Sequence, residues 1–319
     1  MSALTFAIPS KGRLKEQAEE YLADCGLTLK QEGRGYSARF PALPEIDVRL
    51  MSSSEIAAAL RDGKVHAGVA GEDLLRENEP AMTRVALLKA LGFGRADLVV
   101  AAPQSWVDVS VMADLDDVAH TFRARTGSRL RVATKYLAMT RAFFDERGID
   151  DYRLVESLGA TEGAPAAGAA EAIVDITTTG ATLAANHLKI LEDGVILRSQ
   201  AHIAVSRAAT WNEQNLQALS ALATAIDSRT RTHDVRVLRV TPGAARASAI
   251  VRIAEKHGGL LLSDGAELVF EAPASRSAAA HQAMMDSGAA LVIQMTPDFA
   301  SYGANAALQT FRAEIAKLS

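Results

Sequence analysis

Between Ala172 and Leu183 the chain reads Ala-Ile-Val-Asp-Ile-Thr-Thr-Thr-Gly-Ala-Thr-Leu. An apolar strand ends in a carboxylate, Asp175. A Thr/Gly-rich turn follows, and then a helix begins. Such a turn presents consecutive backbone N–H groups and hydroxyls, aimed by the positive end of the helix dipole. That suits a phosphate monoester. Asp175 at the strand end can accept hydrogen bonds from sugar hydroxyls or lie beside Mg²⁺. A capped helix after an ordinary turn uses the same residue types. The segment is not a Walker A loop, because no Gly-Lys-Ser/Thr closes it.

Four further segments stand between a strand and a helix. Ile8-Pro-Ser-Lys11-Gly-Arg13-Leu14 puts two cations around a glycine. Lys is a point charge and Arg a forked donor, a pair suited to polyphosphate. Gly68-Val-Ala-Gly71-Glu72-Asp73 combines glycines that let a ligand approach the backbone with acids that favour a helix start. Val132-Ala-Thr134-Lys135-Tyr136 ends a strand in a hydroxyl, a cation and a ring, and Glu156–Pro165, containing Glu162, reads as a ligand-facing loop or a plain turn.

Other chemistries find no support. The seven histidines show no metal-ligand spacing. Ser52–Ser54 lack a Gly-x-Ser-x-Gly elbow. The single cysteine, Cys25, lies in a helical pattern and reads as a small buried hydrophobe.

The elements that must position these residues follow from pattern. Short apolar runs at Leu4–Ile8, Asp47–Leu50, Ala67–Ala70, Asp97–Ala101, Arg131–Ala133, Ala172–Ile176 and Gly194–Leu197 read as strands. Helical patterns at Leu14–Cys25, Ser54–Asp62, Tyr136–Arg147 and Thr182–Leu191 lie among them. That alternation predicts parallel or mixed sheets covered by helices, with binding sites at the carboxyl ends of strands. A helix is predicted from about Asn212 toward Arg231, and the pattern then changes to β-α-β-β-α-β plus a last helix, the ferredoxin-like order. The Asp264-Gly265 pair marks a hairpin between Leu260–Leu262 and Ala266–Glu271.

The 319 residues suit two or three domains. Hydrophobic residues make up 49% and charged residues 23%, which is ordinary globular usage. A net charge of −4 and 5% aromatic residues argue against nucleic-acid binding, which needs a basic field and stacking surfaces. The amino-terminal apolar stretch precedes its cations, the reverse of a secretory signal, and no run approaches a membrane span. The expectation is a soluble cytoplasmic protein with no membrane partner.

Taken in order, five segments resemble the ATP phosphoribosyltransferase family, the first enzymes of histidine biosynthesis. They are Pro9–Leu14, Ala67–Asp73, Val132–Tyr136, Glu162–Pro165 and Val174–Leu183, within a match over roughly residues 4–205. The resemblance implies an α/β fold: a bilobal, periplasmic-binding-protein-like catalytic core followed by a C-terminal ferredoxin-like (α+β) domain. It divides the chain into lobe I (1–94 and 184–230), lobe II (95–183) and the added domain (231–319), with crossings near Gly92–Arg95 and after Leu183. It implies transfer of the phosphoribosyl group of 5-phosphoribosyl pyrophosphate to N1 of ATP, with release of pyrophosphate and with Mg²⁺ as cofactor.

By the same resemblance, Lys11, Arg13, Arg49 and Asp175 are the catalytic candidates, and Asp175 also the metal-facing one. Glu162, Thr177, Thr178, Thr179, Gly180, Ala181 and Thr182 would hold phosphoribosyl pyrophosphate. Gly71, Glu72, Asp73, Arg34, Lys135 and Tyr136 would face ATP. Many members carry an arginine ahead of the position of Glu55-Ile56; this chain has Met51-Ser-Ser-Ser54, leaving Arg34 and Arg49 as the pyrophosphate candidates. Long members of the family use the added domain to bind histidine as feedback inhibitor and assemble as dimers and hexamers, so a histidine-inhibited homo-oligomer is expected. The competing readings are a non-catalytic bilobal receptor for a small anion and a phosphoribosyltransferase with another acceptor.

Overall fold

The computed structural model describes residues 3–31, 35–300 and 306–318. The chain begins with β1 (Leu4–Pro9), α1 (Arg13–Asp24), β2 (Lys30–Gln31), β3 (Ser37–Phe40) and β4 (Leu43–Met51). α2 (Ser53–Arg61), β5 (Ala67–Gly71), α3 (Glu72–Asn78) and β6 (Val85–Ala90) follow. After a crossing through Leu91–Arg95 come β7 (Ala96–Pro103), α4 (Met112–Thr126), β8 (Leu130–Thr134), α5 (Leu137–Asp145) and β9 (Tyr152–Glu156). A 3₁₀ turn (Thr161–Gly163), β10 (Ala172–Thr177), α6 (Ala181–Ala185) and β11 (Leu188–Ser199) complete that half. β12 (Ala201–Ser206) and α7 (Glu213–Arg231) return to the first half.

These elements make two lobes. Lobe I holds a seven-stranded sheet in the order β2-β3-β4-β1-β5-β12-β6, and lobe II a five-stranded sheet in the order β11-β7-β10-β8-β9. β1 runs parallel to β4 and β5, and β8 parallel to β9 and β10. Their carboxyl ends carry the segments singled out above. β1 shows why such strands read clearly: Leu4, Phe6, Ala7 and Ile8 are all buried, as expected when helices or strands cover both faces of a parallel sheet.

The return crossing differs from the expected one after Leu183. β11 pairs with β7 from Leu188 to Ser199, so 184–199 belong to lobe II, and the chain crosses at Gln200. The pairing is interrupted by register shifts between Ile190 and Leu197, where Glu192-Asp193-Gly194 breaks the apolar run. Asp193 accepts a hydrogen bond from Met112 N at 2.7 Å, so the interruption serves the first turn of α4.

Beyond α7 lie β13 (Val235–Thr241), α8 (Ala247–Lys256), β14 (Leu260–Asp264), β15 (Leu268–Pro273), α9 (Ala274–Asp286), β16 (Leu291–Met295) and α10 (Ala306–Leu318). The four strands form an antiparallel sheet in the order β14-β15-β13-β16, the ferredoxin-like arrangement. Leu238, Val240, Phe270, Ile250, Ala280 and Met284 form its core with α8 and α9.

The last helix leaves this unit. Leu308, Phe311 and Ile315 of α10 pack into the lobe I core together with Leu219, Leu222 and Ile226 of α7. Phe311 stacks edge-on against Trp211 at 5.2 Å, and Arg207 reaches Glu314 at 2.9 Å. Residues 306–318, expected within the C-terminal domain, therefore complete lobe I. Cys25 sits in the same core, 3% exposed, and burial pushes its thiol up to about 11. A thiol held protonated this way is a packing group rather than a nucleophile.

Candidate active site

A cavity of about 590 Å³ lies between the lobes. Arg13, Leu14, Ser53, Gly71 and Asp73 line it from lobe I. Lys135, Tyr136, Ile176 and Thr178 line it from lobe II, and Gly92–Ala96 from the first crossing. Four of the five segments named from sequence therefore meet in one cleft.

The Thr/Gly segment closes on itself. Thr177 Oγ1 accepts from Gly180 N at 2.8 Å, and Thr179 Oγ1 from Ala181 N at 3.4 Å. Gly180 takes φ +75°, a left-handed conformation that residues with side chains rarely adopt. The turn leaves Thr178, Thr179, Ala181 and Thr182 exposed; Thr178 lines the cleft, and its Oγ1 reaches Arg95 O at 3.4 Å.

Asp175 lies two residues inside, on β10 opposite Val99 of β7. Burial raises its carboxyl above the usual range and the charge of Glu162 raises it further, against the Ile176 N–H (2.8 Å) and the charge of Lys135. Glu162, in the 3₁₀ turn, is thus electrostatically within reach of Asp175. Lys135 is exposed, its Nζ 4.9 Å from the Tyr136 ring centre.

On lobe I, Lys11 and Arg13 are exposed at the start of α1. The charge of Lys11 helps hold Glu55 below the usual carboxylate range, though the hydrogen bonds from Ser52 contribute most. Those bonds give the Met51–Ser54 segment a structural role at the start of α2. Ser52 caps α2, accepting from Glu55 N while Glu55 accepts from Ser52 N at 2.8 Å. The serine is a reciprocal helix cap, and Ser53 lines the cavity.

Other expected residues stand apart. Arg49, on β4, is exposed and holds Asp47 at 3.2 Å; it is not in the cavity lining. Glu72 pairs with Arg76 at 2.7 Å. Arg34 lies outside the described residues. Asp73 and Tyr136 line the cavity, but their polar atoms are engaged: Tyr136 Oη donates to Asp73 Oδ2 at 2.7 Å, and Ser199 Oγ to Asp73 Oδ1 at 2.9 Å. Burial and the adjoining carboxylate push the Tyr136 phenol up, so it stays a donor. Sequence reading passed over Arg95, a cation at the crossing that lines the cavity. The predicted crossing at Gly92–Arg95 was the signal for it.

Two α/β lobes joined by two crossings, with anion-binding residue types at strand ends on both sides of one cleft, define a bilobal protein built to hold phosphorylated ligands between its lobes. Comparison with known proteins makes this specific. Residues 52–228 match the family model described as HisG: ATP phosphoribosyltransferase. The ATP phosphoribosyltransferase of Caulobacter vibrioides is 52% identical over 97% of this chain and 96% of its own. That of Nitrobacter winogradskyi is 54% identical over 77% of each. A chain of the ATP phosphoribosyl transferase (HisG:HisZ) complex from Thermotoga maritima shares the fold, with TM-score 0.55 and 24% identity over 70% of this chain and 96% of that one. This chain belongs to the ATP phosphoribosyltransferase family. Its reaction is the first step of histidine biosynthesis, phosphoribosyl transfer from 5-phosphoribosyl pyrophosphate to N1 of ATP with release of pyrophosphate.

Proposed function

We propose that the cleft aligns the two substrates between the lobes and that the Thr/Gly segment carries the phosphoribosyl side. The observation behind this reading is the single cavity that gathers Arg13, Gly71, Lys135 and Thr178 from both lobes. Thr177–Thr182 hold the 5-phosphate with hydroxyls and backbone N–H groups. Asp175 faces the ribose hydroxyls, with Glu162 beside it. Lys11, Arg13 and Lys135 meet the polyphosphates. Gly71 and Glu72 border the nucleotide side, with Asp73 and Tyr136 as its wall.

The chemistry asks for alignment more than for proton transfer. N1 of adenine brings its own lone pair, so no general base is required. The anomeric carbon gains oxocarbenium character as charge grows on the departing pyrophosphate, and cations placed there stabilise it. A partly desolvated carboxylate at Asp175 favours the positive ribose ring.

The residues present fit a bound Mg²⁺. This ion uses one or two carboxylates and takes its remaining ligands from water and substrate oxygens. Asp175, half-buried near the end of β10, supplies one such carboxylate, and the charge of Glu162 reaches it. When bound, Mg²⁺ would neutralise pyrophosphate charge.

Three finer points complete the proposal. The ferredoxin-like unit binds histidine and suppresses turnover. The chain works as a homo-oligomer, a dimer or hexamer. It acts in the cytoplasm, where ATP and phosphoribosyl pyrophosphate are made; among the described residues no helix is long and apolar enough to cross a membrane. The test is calorimetric titration of histidine into the full chain, with turnover followed in parallel. Heat with inhibition is expected. Neither heat nor inhibition would remove the regulatory reading.

A further inference from the structure

One set of contacts runs from lobe to lobe through α3. α5 has no capping side chain of its own, which leaves its first N–H groups to find acceptors elsewhere. Glu77, on α3 of lobe I, supplies them: it accepts from Ala138 N at 2.9 Å and from Met139 N at 3.0 Å. A carboxylate there also meets the positive end of the helix. One turn earlier on α3, Asp73 accepts the Tyr136 phenol and the Ser199 hydroxyl, and its own N–H donates to Ser199 Oγ at 3.1 Å. Ser199 ends β11, immediately before the second crossing. Leu74, between these acids, packs against apolar clusters of both lobes. α3 thus grips lobe II at Tyr136, at the start of α5 and at the return strand.

We propose that Asp73, Glu77, Tyr136 and Ser199 form a bolt that sets the angle between the lobes, and that they are positioning residues for phosphoribosyl transfer. The proposal rests on the cleft reading given above. Each acid bonds to groups of the other lobe, and no movement between lobes can part α3 from lobe II without breaking five hydrogen bonds, three at Tyr136 and the start of α5 and two at Ser199. Any closure of the cleft therefore pivots at this contact. The bolt adjoins ligand-facing groups directly, since Lys135 precedes Tyr136 and the charge of Asp175 reaches the phenol. A small error in the bolt moves these groups relative to Arg13 and Gly71 across the cleft, and misplacement of an ångström costs rate steeply.

The test uses the full chain, first shown to turn over ATP and phosphoribosyl pyrophosphate, and the variants E77A, E77Q and Y136F. Each substrate alone should bind within about threefold of the parent affinity, while kcat falls about tenfold or more in E77A and Y136F. E77Q should recover part of the loss, because its amide oxygen still accepts one N–H. E77A and Y136F combined should cost less than the product of their separate effects. Unchanged kcat in folded E77A and Y136F would overturn the proposal. So would a loss of affinity for one substrate that accounts for the whole loss of rate, since that marks a direct contact. If E77A fails to fold, E77Q and Y136F carry the test. A parent chain without turnover would count against the cleft reading alone. The bolt is then judged by small-angle scattering, where Y136F should broaden the distribution of interlobe distances and an unchanged profile would reject it.

Discussion

Substitution of Gly71 by alanine isolates the carboxylate at the centre of the cleft. Gly71 has φ −71° and ψ 137°, open to any residue, so the backbone adds no penalty. The new Cβ, however, would lie 2.4 Å from Asp73 Oδ1, closer than real contacts allow. The carboxylate must turn away, and it is held by Ser199 at 2.9 Å and Tyr136 at 2.7 Å. Hydrogen bonds to a charged group contribute about 1.5–3 kcal/mol each, so losing both gives a destabilisation of about 3–6 kcal/mol. Urea unfolding of the full chain measures it through the transition midpoint. The control is Gly159→Ala, where a Cβ meets nothing within 4 Å and φ is not positive; it should stay within about 0.5 kcal/mol of the parent. A Gly71→Ala protein as stable as Gly159→Ala would refute the reasoning.

Three further outcomes are expected. Asp175→Asn should lower turnover without lowering stability at neutral pH. Burial raises this carboxyl, so the folded state holds its proton more tightly than the unfolded chain does. Ionised Asp175 thus opposes folding above its folded pKa, and stability recovers as pH falls through that value; thermal melts of parent and variant from pH 7.5 to 4 check both signs. His66 accepts from Thr5 N at 3.1 Å and lies 3.1 Å from Thr210 O, and burial holds its pKa below the ordinary value. Its contribution is whole above the unfolded pKa near 6.5 and declines below it, so His66→Gln should flatten the acid side of the stability curve. Phe311→Ala should cost about 3–5 kcal/mol, because a ring 2% exposed in the lobe I core leaves a cavity; a change under about 1 kcal/mol would show that α10 does not complete lobe I.

The parts of the fold legible in sequence were those set by local pattern. Buried parallel strands such as β1 and β5 read as apolar runs, and the order of elements after α7 read as ferredoxin-like. β6, Val85-Ala-Leu-Leu-Lys-Ala, is apolar without alternation, and so short a run does not distinguish strand from helix. The extent of β11 was hidden because its irregular centre has the composition of a loop, while its pairing depends on β7, far away in the chain. α10 was assigned to the wrong unit because its partners, Trp211 and Arg207, lie about a hundred residues earlier. Within the site, residue types at strand ends pointed to anion chemistry. Glu77 and Ser199 gave no such sign: each takes its meaning from a partner 61 or 126 residues distant. Ser52 gave no functional sign either, and its role as the cap of α2 shows only in its reciprocal bonds with Glu55.

The central claim is that the Thr/Gly segment and Asp175 bind and activate phosphoribosyl pyrophosphate for attack by ATP. Pyrophosphate release from ATP, phosphoribosyl pyrophosphate and Mg²⁺ tests it most directly, measured for the parent, Asp175→Asn and Thr182→Val side by side with their melting curves. The account predicts release by the parent and slower release by both folded variants, with the greater loss at Asp175, where a charge is removed rather than a neutral contact. Unchanged turnover and Michaelis constants in both variants would contradict it.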